Sequence, residues 1–334
     1  MSAGTENRAP GVALLLPGQG AQHPRMAAGL YGHEAVFTAA MDEAFALLGD
    51  DGRRIRAEWL AHTPSDAFDD VTVAQPLLYA VDHALGRTVL SWGGRPVALL
   101  GHSVGELAAA TLAGVVAFED GIRLMRDRVR QFAGTPAGGM LAVAASPEEI
   151  DGRLDGDVHL AAVNARRQLL LAGERAALDR AAAVLREQGI ACRDARARQA
   201  FHTPIVRGAV EASMADWLAT PLRRPRLPVY SAHTRGVLTD EDALDHRFWA
   251  RQPAETVYFA PALDRLLADH DCLLVETGPG NSLTALARRH PAVARGRSAV
   301  VPLLPEGPGE AARDRVATAA AKERVLALRH EVPS

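Results

Sequence analysis

The segment Gly101-His102-Ser103-Val104-Gly105 carries the chain's clearest candidate for covalent chemistry. A serine with glycines two residues away on both sides, between a predicted strand and a predicted helix, has the pattern of a nucleophile elbow. That turn lifts the hydroxyl above a sheet and places it at a helix N-terminus, where the N–H of Val104 can stabilise a developing oxyanion. The pattern predicts that Ser103 carries an acyl group as a serine ester, and the alternative is a serine that only caps the helix.

A serine hydroxyl needs a neighbouring base before it attacks a carbonyl. Among the 12 histidines of the chain, His202 is the strongest candidate, because its segment directly follows a predicted inserted unit. A loop that returns there to the main domain can lie above the strand ends, where Ser103 is expected. His102 is closer in sequence, but neighbours on a tight turn usually point apart.

The elements that must position these residues alternate between strands and helices. Residues 11–16 and 96–101 are short apolar runs that end in glycine-containing turns, which indicates buried strands. Apolar residues at helical spacing over 34–48 and 74–92 predict helices between them. This alternation predicts an α/β fold with a largely parallel sheet that is covered on both faces.

Between residues 139 and 200 the pattern changes to strand, helix, two strands, helix and strand, which is the order of a ferredoxin-like unit. We therefore expect one large domain to be interrupted by a small inserted subdomain. The expected boundaries are 11–138 and 201–305 for the large domain, 139–200 for the subdomain, and 306–334 for a C-terminal surface helix or tail.

The composition of the chain argues against several classes of function. The chain has 334 residues, is 48% hydrophobic and carries a formal net charge of -3, so no overall charge attracts nucleic acid or an anionic membrane. Its two cysteines, Cys192 and Cys272, form neither a disulfide framework nor a metal-ligand spacing. No apolar run reaches the roughly 20 residues of a membrane helix. We expect a cytoplasmic protein that binds no metal and no resident cofactor.

Several short motifs occur over roughly residues 11–300 in the same order and at the same spacing as in one known family. Together they resemble the malonyl-CoA:acyl carrier protein transacylase family, especially the acyltransferase domains of polyketide synthases. The matching segments are Pro17-Gly18-Gln19-Gly20-Ala21-Gln22, Gln75-Pro76, Gly101-His102-Ser103-Val104-Gly105-Glu106, Ala200-Phe201-His202, and Glu276-Thr277-Gly278-Pro279-Gly280 with Leu283-Thr284. The resemblance implies an α/β-hydrolase-like large domain with a ferredoxin-like subdomain. The compact length of the chain suggests a stand-alone enzyme.

The resemblance also implies roles for individual residues. Ser103 is the implied nucleophile, His202 the general acid and base, and the backbone N–H groups of Gln19 and Val104 the oxyanion hole. A backbone carbonyl orients the histidine in this family, and counting back from Gly278 assigns it to Tyr258. Arg128 matches the arginine that binds the free carboxylate of malonyl-type substrates, since a guanidinium binds a carboxylate with two parallel hydrogen bonds.

Three further residues are expected at the acyl pocket. Phe201 is the choice of malonyl-selective family members, whereas Gln199 replaces their usual histidine. Asn164 matches a family asparagine, but Ala165-Arg166 follows it in place of the usual Gly-Pro. Because of these differences, the sequence defines the identity of the acyl group less closely than it defines the acyl-transfer chemistry.

The implied reaction moves an acyl group, malonyl from CoA in the leading hypothesis, through Ser103 onto the phosphopantetheine thiol of an acyl carrier protein in polyketide biosynthesis. One alternative is a discrete enzyme that shuttles another acyl group, such as an amino-acyl unit, between carrier proteins. A second is a hydrolase that removes acyl groups from stalled carrier proteins. Carrier proteins of this kind are acidic, so basic side chains are expected at the partner surface, with Arg166, Arg167, Arg288, Arg289 and Arg295 as candidates.

Overall fold

The structure, a computed structural model, describes residues 11–93, 96–154, 156–195 and 197–330. The strands of the described residues are β1 (Gly11–Leu16), β2 (Ala98–Gly101), β3 (Gly139–Val143), β4 (Val158–Ala165), β5 (Gln168–Gly173), β6 (Cys192–Ala195), β7 (Val229–Ser231), β8 (Gly236–Val237), β9 (Cys272–Glu276) and β10 (Ala299–Pro302). The α-helices are α1 (Ala35–Leu48), α2 (Asp50–Leu60), α3 (Val71–Ser91), α4 (Val104–Leu112), α5 (Phe118–Ala133), α6 (Pro147–Ile150), α7 (Arg175–Glu187), α8 (Arg207–Leu218), α9 (Asp240–Leu244), α10 (His246–Arg251), α11 (Phe259–Asp269), α12 (Ser282–Arg288), α13 (Pro291–Ala294) and α14 (Ala311–His330).

A six-stranded sheet in the order β10-β9-β1-β2-β7-β8 forms the centre of the large domain. Its strands pair in parallel except for β8, which is antiparallel to β7. The middle strand β1 is continuously apolar because both faces of the sheet are covered. Leu14 and Leu16 face a core built with α1, α3, α4 and α5, while Ala13 and Leu15 face a second core built with α11 and α12. The predicted α/β fold is confirmed.

A second sheet of four antiparallel strands, in the order β4-β5-β3-β6, lies between the halves of the large domain in sequence. Its elements follow one another as β-α-β-β-α-β, as the sequence predicts for a ferredoxin-like subdomain. The apolar face of α7 packs on this sheet through Leu178 and Leu185. The exact boundaries at residues 138 and 200 stay predictions.

The two sheets are joined by backbone hydrogen bonds. The N–H of Val163 on β4 donates to the carbonyl of Val257 at 2.8 Å, and the N–H of Val257 donates to the carbonyl of Ala161 at 2.9 Å. These bonds hold one edge of the small sheet beside the start of α11. As a result, side chains at the end of β4 reach the carboxyl ends of β1 and β2.

The C-terminal part of the chain forms α14, and one face of this helix packs on the large core through Ala321 and Val325. Residues 331–334 of the predicted tail lie outside the described residues. Within the described ranges, no helix combines the length and the apolar character that crossing a membrane requires.

Candidate active site

Ser103 occupies a strained turn between β2 and α4. Its backbone has φ 55° and ψ -119°, in the positive-φ region that residues other than glycine rarely adopt. A Cβ at Gly105 would overlap the carbonyl of Leu16, and a Cβ at Gly101 would overlap the backbone of Glu106. Glycine is therefore required on both sides, and the turn aims the serine side chain away from the sheet at the start of α4.

His202 lies against this serine although 99 residues separate them in sequence. The Ser103 Oγ is 2.7 Å from His202 Nε2, and His202 Nδ1 is 2.8 Å from the carbonyl oxygen of Glu255. A carbonyl accepts only, so Nδ1 carries the ring proton and Nε2 has a free lone pair that faces the hydroxyl. This arrangement allows His202 to remove the serine proton.

The histidine-orienting carbonyl belongs to Glu255, so the expectation of Tyr258 is wrong. The Tyr258 carbonyl accepts the N–H of Ala262 at 3.1 Å, which closes the first turn of α11. Glu255 precedes this helix in extended backbone with φ -101° and ψ 145°, so its carbonyl is free of helical hydrogen bonding and can accept from the ring.

Burial also sets the protonation state of the histidine. His202 is 5% exposed, and loss of hydration, followed by the nearby His233, lowers the pKa of His202 to about 3. The Glu255 carbonyl opposes this effect, while His102 and Arg128 add to it. The imidazole is therefore neutral and able to act as a base across the physiological pH range.

The turn at Gln19 packs directly on the elbow. A Cβ at Gly18 would lie 2.6 Å from the carbonyl oxygen of His102 and 3.1 Å from the Cβ of Ser103. Gln75 on α3 is buried and donates to the side-chain oxygen of Gln19 at 3.0 Å. Among the described residues, neither the Gln19 N–H nor the Val104 N–H has a hydrogen-bond acceptor. Two free backbone donors beside a nucleophile are what an oxyanion hole requires.

Arg128 on α5 is a buried cation that has no anion beside it among the described residues. Its side chain is 9% exposed in the folded chain, and its Nε and Nη2 atoms make no hydrogen bond with any described residue. Loss of hydration lowers the pKa of its guanidinium to about 10. The guanidinium carbon lies 5.5 Å from the ring centroid of Phe132, whose ring is 5.0 Å from that of Phe201, the neighbour of His202. The charge of Arg128 also acts to lower the pKa of His202, so the guanidinium lies near the serine–histidine pair.

The other two predicted pocket residues differ in placement. Asn164 at the end of β4 has its Oδ1 2.8 Å from His102 Nε2, so it connects the small subdomain to the elbow. Gln199 is partly buried and makes no side-chain hydrogen bond with the described residues. The structure therefore shows no hydrogen bond from the Gln199 side chain to Ser103, His202 or Arg128.

A groove of about 770 Å³ separates the two subdomains at this end. Asn164, Arg166, Arg167, Arg289 and His290 line it, and Arg167 also pairs with Glu149. An adjoining cavity of about 340 Å³ shares Arg289 and reaches Gly20 beside the Gln19 turn. Of the predicted basic candidates, Arg288 and Arg295 do not line this groove. No cluster of three or more potential metal ligands occurs among the described residues.

Sequence reasoning missed Gln252. It is 3% exposed, and its Nε2 donates to the carbonyl oxygen of Ser103 at 2.6 Å. Its position immediately before Pro253 has no motif that marks it, and glutamines are common on surfaces. Only its burial in the folded chain distinguishes it.

Comparison with known proteins is consistent with this geometry. The acyl transferase domain family matches residues 14–323. One component of the phenolphthiocerol/phthiocerol polyketide synthase of Mycobacterium tuberculosis is 38% identical over 281 residues, which are 84% of this chain and 19% of that protein. The chain therefore spans less than a quarter of this relative's length.

Solved structures of similar proteins have the same fold as this chain. The acyl transferase domain of SpnD, in complex with 2-(pent-4-yn-1-yl)malonyl, superposes with a TM-score of 0.89 at 31% identity, covering 96% of this chain and 77% of that one. FabD from Acinetobacter baumannii has the same fold, with a TM-score of 0.83 at 24% identity over 96% of this chain and 99% of its own. The chain belongs to the acyl transferase domain family and is an acyltransferase.

Proposed function

We propose that this enzyme transfers a malonyl group from CoA, through an ester on Ser103, to the phosphopantetheine thiol of an acyl carrier protein in polyketide biosynthesis. The observation that carries the proposal is the buried guanidinium of Arg128, which is unpaired among the described residues and close enough to His202 to act on its pKa. A buried cation without an anion is costly, and a substrate carboxylate would neutralise it. The similarity to a polyketide synthase, and to a domain solved with a malonyl derivative, supports the same substrate class.

In the first half-reaction, His202 Nε2 accepts the Ser103 proton while Oγ attacks the thioester carbonyl. The new C–O bond places a negative charge on the former carbonyl oxygen, which the N–H groups of Gln19 and Val104 stabilise. Collapse of this intermediate breaks the C–S bond, and the leaving thiolate takes the proton from His202. Ser103 is left acylated, with the malonyl carboxylate on Arg128.

In the second half-reaction the carrier protein repeats these steps with its own thiol. His202 accepts the thiol proton, the thiolate attacks the Ser103 ester, and the proton returns to Oγ as the C–O bond breaks. The groove between the subdomains offers a path for the long phosphopantetheine arm, since it ends near Asn164 and the elbow. Arg166 and Arg289 at its rim are suited to an acidic carrier protein. No resident cofactor or metal is needed for these steps.

Intact-mass measurement after incubation with acyl-CoAs and acyl carrier proteins tests the proposal. We expect a malonyl adduct from malonyl-CoA, no adduct from acetyl-CoA, and loss of the adduct in Ser103→Ala. Ser91→Ala is the matched control, because among the described residues Ser91 Oγ donates only to the Thr88 carbonyl, at the end of α3. Labelling by amino-acyl carrier proteins alone would favour the shuttling enzyme and overturn the proposal. Rapid loss of the adduct in buffer would do the same in favour of a hydrolase.

A further inference from the structure

We propose that Gln252 is a positioning residue for acyl transfer, whose side-chain amide holds the Ser103 turn in register with His202. The inference rests on the proposed chemistry of these two residues. Ser103 and His202 come from distant parts of the chain, so the gap between Oγ and Nε2 depends on a third element that contacts both. The segment 252–255 is that element.

The contact to the serine is made by the Gln252 side chain. Its Nε2 donates to the Ser103 carbonyl oxygen at 2.6 Å, and the same oxygen accepts the N–H of Glu106 at 2.9 Å. Residues with positive φ keep that conformation only when surrounding groups enforce it. The buried amide of Gln252 supplies one of those constraints from outside the turn.

The contacts to the histidine come from the backbone of the same segment. Gln252–Ala254 forms a short 3-10 helix. The Pro253 carbonyl accepts the N–H of His202 at 2.7 Å, and the Glu255 carbonyl accepts from His202 Nδ1 at 2.8 Å. Four consecutive residues therefore hold the serine by one bond and the histidine by two, and a shift of the segment would change their separation.

The buried carboxylate of Glu106, next to the Ser103 turn, favours an uncharged hydrogen-bond donor at position 252. Glu106 is fully buried beneath the elbow, with its carboxylate 3.7 Å from His233 Nε2. The Gln252 amide is also a polar neighbour of this carboxylate and acts to lower its pKa. An amide nitrogen has two hydrogens, so Gln252 can face the Ser103 carbonyl and Glu106 together. A carboxylate at position 252 would offer no such donor.

The test compares Gln252→Met with Thr256→Val. Methionine has a similar length but no donor, and Thr256→Val removes a different bond of the neighbouring chain, from Thr256 Oγ1 to the Leu160 carbonyl at 2.8 Å. For Gln252→Met we expect kcat to fall about 10- to 100-fold, because a small misplacement of reacting groups costs this much. KM for the acyl donor should stay near the wild-type value, and Thr256→Val should keep the wild-type kcat.

The rate of Ser103 labelling by a small fluorophosphonate gives a second readout that needs neither malonyl nor a carrier protein. Gln252→Met should be labelled more slowly by the same factor as kcat. Wild-type labelling in Gln252→Met, or an equal loss in Thr256→Val, would overturn the inference. If Gln252→Met does not fold, Gln252→Asn keeps the amide on a shorter side chain and should show an intermediate loss, and an unchanged rate there would also overturn it. If the wild type accepts no malonyl but its labelling depends on Gln252, only the proposed substrate is wrong.

Discussion

Replacing Arg128 by methionine should stabilise the folded protein while it removes the proposed malonyl transfer. Arginine stays protonated at neutral pH, so the folded chain holds a buried charge that prefers water. Lowering the guanidinium pKa from 12.5 to about 10 corresponds to a cost of about 3 kcal/mol for the charged form in the folded chain. Methionine removes this cost and keeps most of the apolar contacts of the side chain.

Two smaller effects act against this gain. The guanidinium lies over the Phe132 ring at 5.5 Å, and a cation–π contact of this kind is worth about 0.5–1 kcal/mol. The shorter side chain also leaves some unfilled space. We therefore expect the free energy of unfolding of Arg128→Met to rise by about 2 kcal/mol.

Urea denaturation monitored by fluorescence measures this change, and intact mass measures malonyl loading of the same sample. The matched control is Arg123→Met on the same helix, because Arg123 is paired with Asp120 at 3.2 Å and bonded to Thr220 at 2.8 Å. This control should not gain stability. A lower free energy of unfolding in Arg128→Met would show that Arg128 already has a compensating partner, and it would refute the carboxylate-binding argument.

Three further predictions concern the histidine and the elbow. Because the pKa of His202 is about 3, Ser103 acylation by an activated ester should be constant from about pH 8 to about pH 5, and a loss of rate near pH 6.5 would contradict the neutral buried base. In the unfolded chain His202 binds a proton near pH 6.5, whereas in the folded chain it does so only near pH 3. The stability that this residue contributes is therefore complete above pH 6.5 and is lost as the pH falls toward 3. Denaturation curves of His202→Gln should show a weaker loss of stability in acid. Gly105→Ala should destabilise the protein by about 1–3 kcal/mol, since its Cβ would overlap the Leu16 carbonyl. Gly208→Ala, which meets no atom within 4 Å on α8, should instead gain up to about 1 kcal/mol, and equal losses in both variants would contradict the argument from local space.

Residue patterns along the sequence are enough to predict the α/β fold and the ferredoxin-like order of the small sheet. Both follow from local patterns, because continuous apolar runs and helical spacing reflect burial of strands and helices. The sequence also singled out Ser103 and His202, since their residue types can do acyl chemistry and their neighbours carry motif residues. The structure places these two side chains 2.7 Å apart.

The groups that hold this pair in place become visible only in the folded chain. Every residue has a carbonyl, so residue type could not identify Glu255 in place of Tyr258 as the partner of His202. Gln252 is an ordinary polar residue until folding buries it against the Ser103 carbonyl. Likewise, Arg128 is one of several arginines on α5, and only packing shows that it lacks an anion among the described residues. The direction of a carbonyl and the burial of a side chain depend on contacts between residues far apart in sequence, and local patterns do not contain them.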